Sequence, residues 1–267
     1  MILTPAQNKI AEDTHRFRVI CCGRRFGKTT EAVEEIKGKA IYVPRHIAYI
    51  APTYQQARDI AWERLKRELQ PVIANANEGR LELKIRTAKG GESLIVLRGW
   101  ESIETLRGQQ FDFIVVDEVA MMRNFWLNWQ EVIRPTLTDT RGEALFISTP
   151  KGFNFFYDLY NLEAKDKDYK SFHFTSYDNP FLPKDELDKA KKELTEDRFA
   201  QEIMADFRKT EGLVYKEFNR ERHVYTDADV ENDPINRVKL FGGVDFGFTN
   251  PCAVLSIEKD NDARYYI

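Results

Sequence analysis

The stretch Cys22-Gly23-Arg24-Arg25-Phe26-Gly27-Lys28-Thr29 joins an apolar run, Arg18-Val19-Ile20-Cys21-Cys22, to a helix-like segment from Lys28 to Lys37. A glycine-bearing loop between a buried strand and a helix N-terminus cradles phosphates, because its backbone N–H groups and the helix dipole face the same anion. On this reading Gly23, Arg24, Arg25, Phe26 and Gly27 form the cradle and Thr30 closes the binding stretch. Lys28 brings a positive charge to the phosphates, and the Thr29 hydroxyl sits on Mg²⁺. The usual pattern is Gly, four residues, then Gly-Lys-Ser/Thr. Here Cys22 holds the first position and the glycine is shifted to Gly23. Taken alone, the loop also reads as a glycine turn with a surface lysine.

Further along, Phe111-Asp112-Phe113-Ile114-Val115-Val116-Asp117-Glu118 is an apolar strand ending in adjacent carboxylates. Beside a nucleotide, Asp117 holds Mg²⁺ through water while Glu118 orients and deprotonates the attacking water. A third apolar run, Ala144-Leu145-Phe146-Ile147, ends in Ser148-Thr149-Pro150. Small hydroxyl residues at such a tip can sense the γ-phosphate, or simply end a strand. Ile47 to Ala51 is a further buried strand. Thr53 to Leu69, stopped by Pro71, and Arg123 to Leu137, with Pro135 near its end, are helical. Leu81–Arg86 and Leu94–Leu97 read as an added hairpin turned at Lys89-Gly90-Gly91. Strands separated by crossover helices predict an α/β fold, a P-loop NTPase with a parallel-rich central sheet flanked by helices.

Composition narrows the surroundings. Among 267 residues, 40 Lys and Arg against 43 Asp and Glu leave a net charge of −3, so nucleic acid is handled by a local patch or an assembly rather than by bulk charge. No apolar run approaches the ~20 residues that span a bilayer, and the first residues lack a signal-peptide core. Three cysteines, with Cys21 and Cys22 vicinal, make no disulfide framework and predict a reducing cytoplasm. His15, His46, His173 and His223 show no metal-ligand spacing.

After Thr175 the composition shifts. Ser176-Tyr177-Asp178-Asn179-Pro180 is turn chemistry, and Lys184 to Phe207 is charged and helical, as two helices. Gly212–Phe218 restarts a strand pattern. Lys239–Asp245, Ala253–Ile257 and Arg264–Ile267 follow as three strands with too little helix to bury a core. The expected division is 1–175 for the ATPase core, 176–211 for a helical linker, and 212–267 for the opening of a second domain that is cut short.

The three motifs, in this order, resemble the large terminase subunit, the DNA-packaging motor of tailed bacteriophages. Thr4-Pro5-Ala6-Gln7 stands where that family has its adenine-recognition segment. Ala51-Pro52-Thr53 ends the second strand as in related translocases, and Leu106-Arg107-Gly108 precedes the acidic strand where terminases carry an arginine. Ser148-Thr149-Pro150 matches the coupling motif. Asp178-Asn179-Pro180-Phe181 and Phe199–Phe207, followed by Gly212-Leu213-Val214-Tyr215, look like the linker to the nuclease domain. Gly243-Val244-Asp245-Phe246-Gly247 resembles the first strand of that RNase H-like fold.

The resemblance implies an ATP-hydrolysing motor that moves double-stranded viral DNA into a procapsid. Gln7 would read adenine, one of Arg24 and Arg25 would reach the γ-phosphate while the other pairs with an acid on a neighbouring element, and Arg107 would act as an arginine finger in trans, with Arg98 and Arg141 as other candidates. Asp245 would be the first carboxylate of a nuclease site holding Mg²⁺ or Mn²⁺. Asp260 and Asp262 read as hairpin residues and further carboxylates are expected beyond Ile267, so nuclease activity is expected to be absent or weak. Implied partners are the portal protein, the small terminase subunit and further copies in a ring, with a monomer in isolation and no membrane. The setting is the cytoplasm of the infected host, transiently at the procapsid. Alternatives are a helicase or remodelling ATPase, or a nucleotide-binding assembly component without turnover.

Overall fold

The computed structural model describes residues 3–208, 237–245, 253–260 and 265–266. The chain divides into two units, Met1–Gly212 and Leu213–Ile267. In the first, α1 (Pro5–Ala11) leads into β1 (Phe17–Cys22), α2 (Lys28–Tyr42) and β2 (His46–Ala51). A helical run follows, made of α3 (Tyr54–Ala57), a π-helical turn (Arg58–Trp62) and α4 (Glu63–Leu69). Next come β3 (Ile73–Asn77), β4 (Glu82–Arg86), β5 (Glu92–Gly99) and, after a 3₁₀ stretch, β6 (Phe113–Asp117). Helices α5 (Phe125–Asn128) and α6 (Arg134–Thr136) flank a second π turn, Trp129–Ile133. Then follow β7 (Glu143–Ser148), α7 (Phe155–Tyr160), β8 (Tyr169–Phe174), α8 (Lys184–Glu193) and α9 (Glu196–Glu202).

Eight strands form one sheet in the order β3-β4-β5-β2-β6-β7-β1-β8. From β5 to β8 every pairing is parallel, while β3-β4 and β4-β5 are antiparallel. Parallel strands buried on both faces need apolar residues of both parities, and β1 and β6 supply them. Val19, Cys21, Ile114 and Val116 face one core with Phe125, Trp129 and Phe156. Ile20, Cys22, Phe113 and Val115 face the other with Val33, Ile36, Trp62 and Leu65. Both neighbouring thiols are therefore fully buried, and desolvation raises their pKa values far above the ordinary thiol range.

The expected parallel-rich sheet flanked by helices is what the chain adopts. Several local expectations change. The predicted hairpin is no appendage, since β5 pairs in parallel with β2 and carries the hairpin into the main sheet. Strand β3, Ile-Ala-Asn-Ala-Asn, gives little signal because it is a largely exposed edge strand without branched residues after Ile73. Strand β8 closes the other edge with mostly half-buried residues and so shows no apolar run. Helix α2 runs past Lys37 to Tyr42, and each of the two long predicted helices contains a π turn. The charged stretch from Lys184 is helical only to Glu202.

In the second unit β9 (Arg237–Asp245), β10 (Ala253–Asp260) and β11 (Tyr265–Tyr266) form an antiparallel sheet in the order β11-β10-β9. Asp245 closes β9. The stretch Gly212–Tyr215, Phe246, Gly247 and Asp262 lie outside the described residues.

Helix α2 also carries a buried acid. Arg18 donates to both oxygens of Glu35 at 2.6 Å, whereas Glu31, one turn earlier, is fully buried and neither carboxyl oxygen has a hydrogen-bond partner. Desolvation, followed by repulsion from Glu35, pushes Glu31 up to about 8, so it is neutral at pH 7 in the folded chain. The unfolded chain ionises it near its ordinary value of about 4.3. Its stabilising contribution is thus complete below that value and is lost progressively as pH rises through about 8. Thermal unfolding midpoints measured from pH 5 to pH 8 should fall, and Glu31→Met should flatten the decline.

Candidate functional site

The phosphate loop is a product of close backbone approach. Gly27 has φ +107°, which is strained for any residue with a side chain, and it starts α2. A Cβ on Gly23 would meet the carbonyl oxygen of Ile203 at 2.3 Å and the amide nitrogen of Ser176 at 2.7 Å. That contact accounts for a glycine at 23, while Cys22 remains an ordinary buried strand residue.

Residues far along the chain hold this loop from outside. Gly23 donates its N–H to Phe174 O at 3.0 Å and Arg24 donates to Glu202 O at 2.7 Å. The Ser176 hydroxyl donates to Arg24 O and the Asn179 amide to Arg25 O, each at 2.6 Å. The Arg24 guanidinium pairs with the Glu202 carboxylate. From the other side Gln7 Nε2 donates to Gly27 O at 3.0 Å, while Gln7 Oε1 accepts from Thr4 N–H at 2.8 Å. Both polar atoms of the Gln7 side chain are thus engaged inside the chain, and Gln7 braces the loop.

Three strand ends meet at the loop. Lys28 Nζ, at the start of α2 after β1, lies 3.1 Å from Glu118 Oε1 after β6. It donates to Thr149 Oγ1 after β7 at 2.8 Å. Burial works against the ammonium charge, but attraction to Glu118, Cys22 and Asp117 outweighs it and holds the Lys28 pKa above its ordinary value. The Ser148 hydroxyl accepts from Ala120 N–H at 3.2 Å and donates to Thr149 O at 2.9 Å, with Glu118 Oε2 at 3.4 Å. Pro150 follows on the rim of the same cavity. Glu118 itself sits at φ +51°, ψ +43°. A non-glycine residue in that left-handed region stores strain of order 1–3 kcal/mol, characteristic of functional sites.

Beneath Glu118, Asp117 is buried. Its Oδ2 accepts from the Tyr49 hydroxyl and its Oδ1 from Glu118 N–H at 2.8 Å. Desolvation, then repulsion from Glu118, raises Asp117 to about 6 despite these donors and Lys28. With lone pairs left on both oxygens, the carboxylate suits water bound to a hard cation, and the Thr29 hydroxyl at the first turn of α2 adds a second oxygen donor. Among the described residues no group of three or more His, Cys, Asp or Glu side chains could hold a metal ion. The Asp117 carboxylate and the Thr29 hydroxyl are the oxygen donors that would hold a Mg²⁺ ion here.

These groups surround a cavity of about 830 Å³, lined among others by Arg25, Lys28, Thr29, Thr30, Glu118 and Thr149. The volume falls within the usual range for small-molecule sites. Arg24 also lines it, whereas Phe26 is buried and stacks on Phe174 at 4.9 Å. The three arginines considered as fingers lie elsewhere. Arg107 pairs with Glu104 at 2.8 Å and donates to Glu131 O at 3.2 Å, with half its side chain exposed. Arg98 pairs with Glu82 at 2.6 Å, and Arg141 occupies the turn before β7 with φ +52°. Tyr49, Ser176, Gln201, Glu202 and Lys151 join the site without having been singled out. Tyr49 could have been found as a hydroxyl inside an apolar strand, and Lys151 by its place after Pro150. Ser176 and Glu202 carry no local signal.

Residues 19–222 match the family described as terminase large subunit, T4likevirus-type, N-terminal. The chain is 31% identical to the terminase large subunit of Escherichia phage T5, over 97% of this chain and 60% of that protein. It is also 31% identical to the large subunit of Thermus phage G20c, over 64% of this chain and 42% of that protein. The chain thus spans less than two thirds of the length of these relatives. Among solved structures, the large terminase ATPase domain of Thermus phage P74-26 superposes with a TM-score of 0.63 at 28% identity, covering 77% of this chain and 94% of that one. The large terminase of a thermophilic bacteriophage, solved in complex with ATP-gamma-S, shares the fold at 19% identity and a TM-score of 0.67, covering 99% of this chain and 68% of that one. With a family match over most of its length and an ATPase-domain fold around a nucleotide-sized cavity, this chain belongs to the terminase large subunit family.

Proposed function

We propose that the chain is the ATP-hydrolysing part of a motor that drives double-stranded viral DNA into a procapsid. The observation that carries this reading is the meeting of Lys28, Glu118 and Thr149 over the phosphate loop. With no phosphate present, Lys28 and Glu118 neutralise each other. A triphosphate seated on the loop competes for Lys28, and the freed Glu118 carboxylate can orient a water molecule and take its proton. Asp117 and Thr29 would hold Mg²⁺, which would supply positive charge to offset that of the phosphates. Ser148 and Thr149 touch both catalytic groups, which supports a coupling role for Ser148-Thr149-Pro150. The ATP-gamma-S complex of the thermophilic-phage terminase supports the choice of nucleotide. Gln7 braces the loop through one donor and one acceptor, and the second N–H and second lone pair of its amide are what would read adenine.

Residues 1–175 act as the ATPase core, 176–211 as a linker that also steadies the phosphate loop, and 212–267 as the beginning of an RNase H-like nuclease, with Asp245 as its first carboxylate for Mg²⁺ or Mn²⁺. The exposed Arg107, remote from its own chain's cavity, suits a finger offered to a neighbouring copy in a ring. Portal protein and small terminase subunit are the other partners, in the host cytoplasm. Among the described residues no helix is long and apolar enough to cross a membrane.

Steady-state ATP hydrolysis across a protein-concentration series, with and without duplex DNA, tests these roles. Glu118→Gln should lower kcat by at least ~10²-fold, and turnover indifferent to this change overturns the carboxylate assignment. Activity should rise more than linearly with protein concentration. Arg107→Ala should lose ~10³-fold or more and recover when mixed with Glu118→Gln chains, whose arginine is intact. Tyr49→Phe keeps the ring but removes the donor to Asp117. The Mg²⁺ concentration for half-maximal binding of a fluorescent ATP analogue should then rise by about tenfold.

A further inference from the structure

Lys151 directly follows Ser148-Thr149-Pro150 and lines the same cavity as Lys28, Thr29 and Glu118. The cations around that cavity are Arg24, Arg25, Lys28 and Lys151. Arg24 is neutralised by Glu202 and Lys28 by Glu118. Neither Arg25 nor Lys151 has an acidic partner among the described residues. Asp117 adds a further negative charge just below the floor. Without Arg25 and Lys151 the walls would carry no net charge, with Asp117 negative beneath them, and no side chain would be left to attract a triphosphate, which is anionic even with its metal.

The position of Lys151 is also fixed from both sides. Thr149 is tied to Lys28 at 2.8 Å, Pro150 restricts its own φ, and the N–H of Gly152 donates to Gln201 Oε1 at 3.0 Å. The residue is therefore held on the wall of the cavity that Lys28 and Glu118 also line, at the end of β7 rather than in the phosphate loop.

We propose that Lys151 is a direct ligand of the terminal phosphate, a second ammonium that meets the γ-phosphoryl group from the strand side while Lys28 meets it from the loop. This assignment rests on the ATPase reading above. It makes Lys151 a residue that distinguishes triphosphate from diphosphate, because only the former places charge within its reach.

Competition binding on the full chain, against a fluorescent nucleotide with Mg²⁺, separates the outcomes. Lys151→Met should weaken ATP-gamma-S by ~10- to 100-fold, the worth of one charge-assisted hydrogen bond, and ADP by less than ~3-fold. Lys151→Arg should restore most of the loss, and the exposed position should leave the thermal unfolding midpoint unchanged. Equal weakening of both nucleotides, or of neither, overturns the assignment. A wild-type chain that binds neither nucleotide overturns the ATPase reading and this inference with it, whereas a wild type that binds both beside an unaltered Lys151→Met overturns the inference alone.

Discussion

A largely buried lysine ammonium shared between two strand ends is the constraint on which the site depends. Lys28 reaches Glu118 and Thr149 only because β1, β7 and β6 lie side by side in parallel and end at the same level. Removing such a charge from water is tolerable only with partners of opposite sign or strong acceptors at close range. The register of the three strands, the left-handed turn at Glu118 and the helix start at Gly27 all serve that one meeting point. In exchange, the charges of Lys28 and Glu118 offset each other where the strand ends meet.

The flanking helices explain how such precision is kept. Each face of the sheet is covered by aromatic and branched side chains, with Phe125, Trp129 and Phe146 interlocked on one side and Trp62 buried on the other. Ring pairs at about 5–6 Å in edge-on and offset arrangements leave little room for the strands to slide. A shift of one residue in β6 would exchange its two faces and carry Asp117 out of reach of Tyr49.

Much of this was legible in the sequence, and the limits have physical causes. The runs at Val19–Cys22, Phe113–Val116 and Leu145–Ile147 announce buried strands because both of their faces are covered. The glycine, lysine and carboxylate residues at their ends are dictated by local backbone geometry and by phosphate chemistry. What could not be read depends on contacts between distant segments. The glycine at position 23 rather than 22 answers to backbone from Ser176 and Ile203, and although a loop arginine was expected to pair with an acid, the choice of Glu202 as the partner of Arg24 has no local signature. Edge strands β3 and β8 escaped because one side of each is solvated. The engagement of Gln7 with Thr4 and Gly27 was hidden for another reason: a side-chain amide offers the same atoms to a ligand and to its own backbone.

The outer bracing of the phosphate loop has a consequence for how the protein is made. Arg24 and Arg25 emerge early from a ribosome, yet their partners Ser176, Asn179 and Glu202 lie 152, 154 and 178 residues later in the chain. Contacts of such long sequence separation form late, since closing the loop between them must precede any reward. Strand β1 waits equally long for its own neighbours, since β7 and β8 lie 127 to 152 residues downstream of it in register. The outer bracing is therefore synthesised last: a chain that ends before Ser176 has the loop sequence but lacks the side chains that donate to the carbonyls of Arg24 and Arg25.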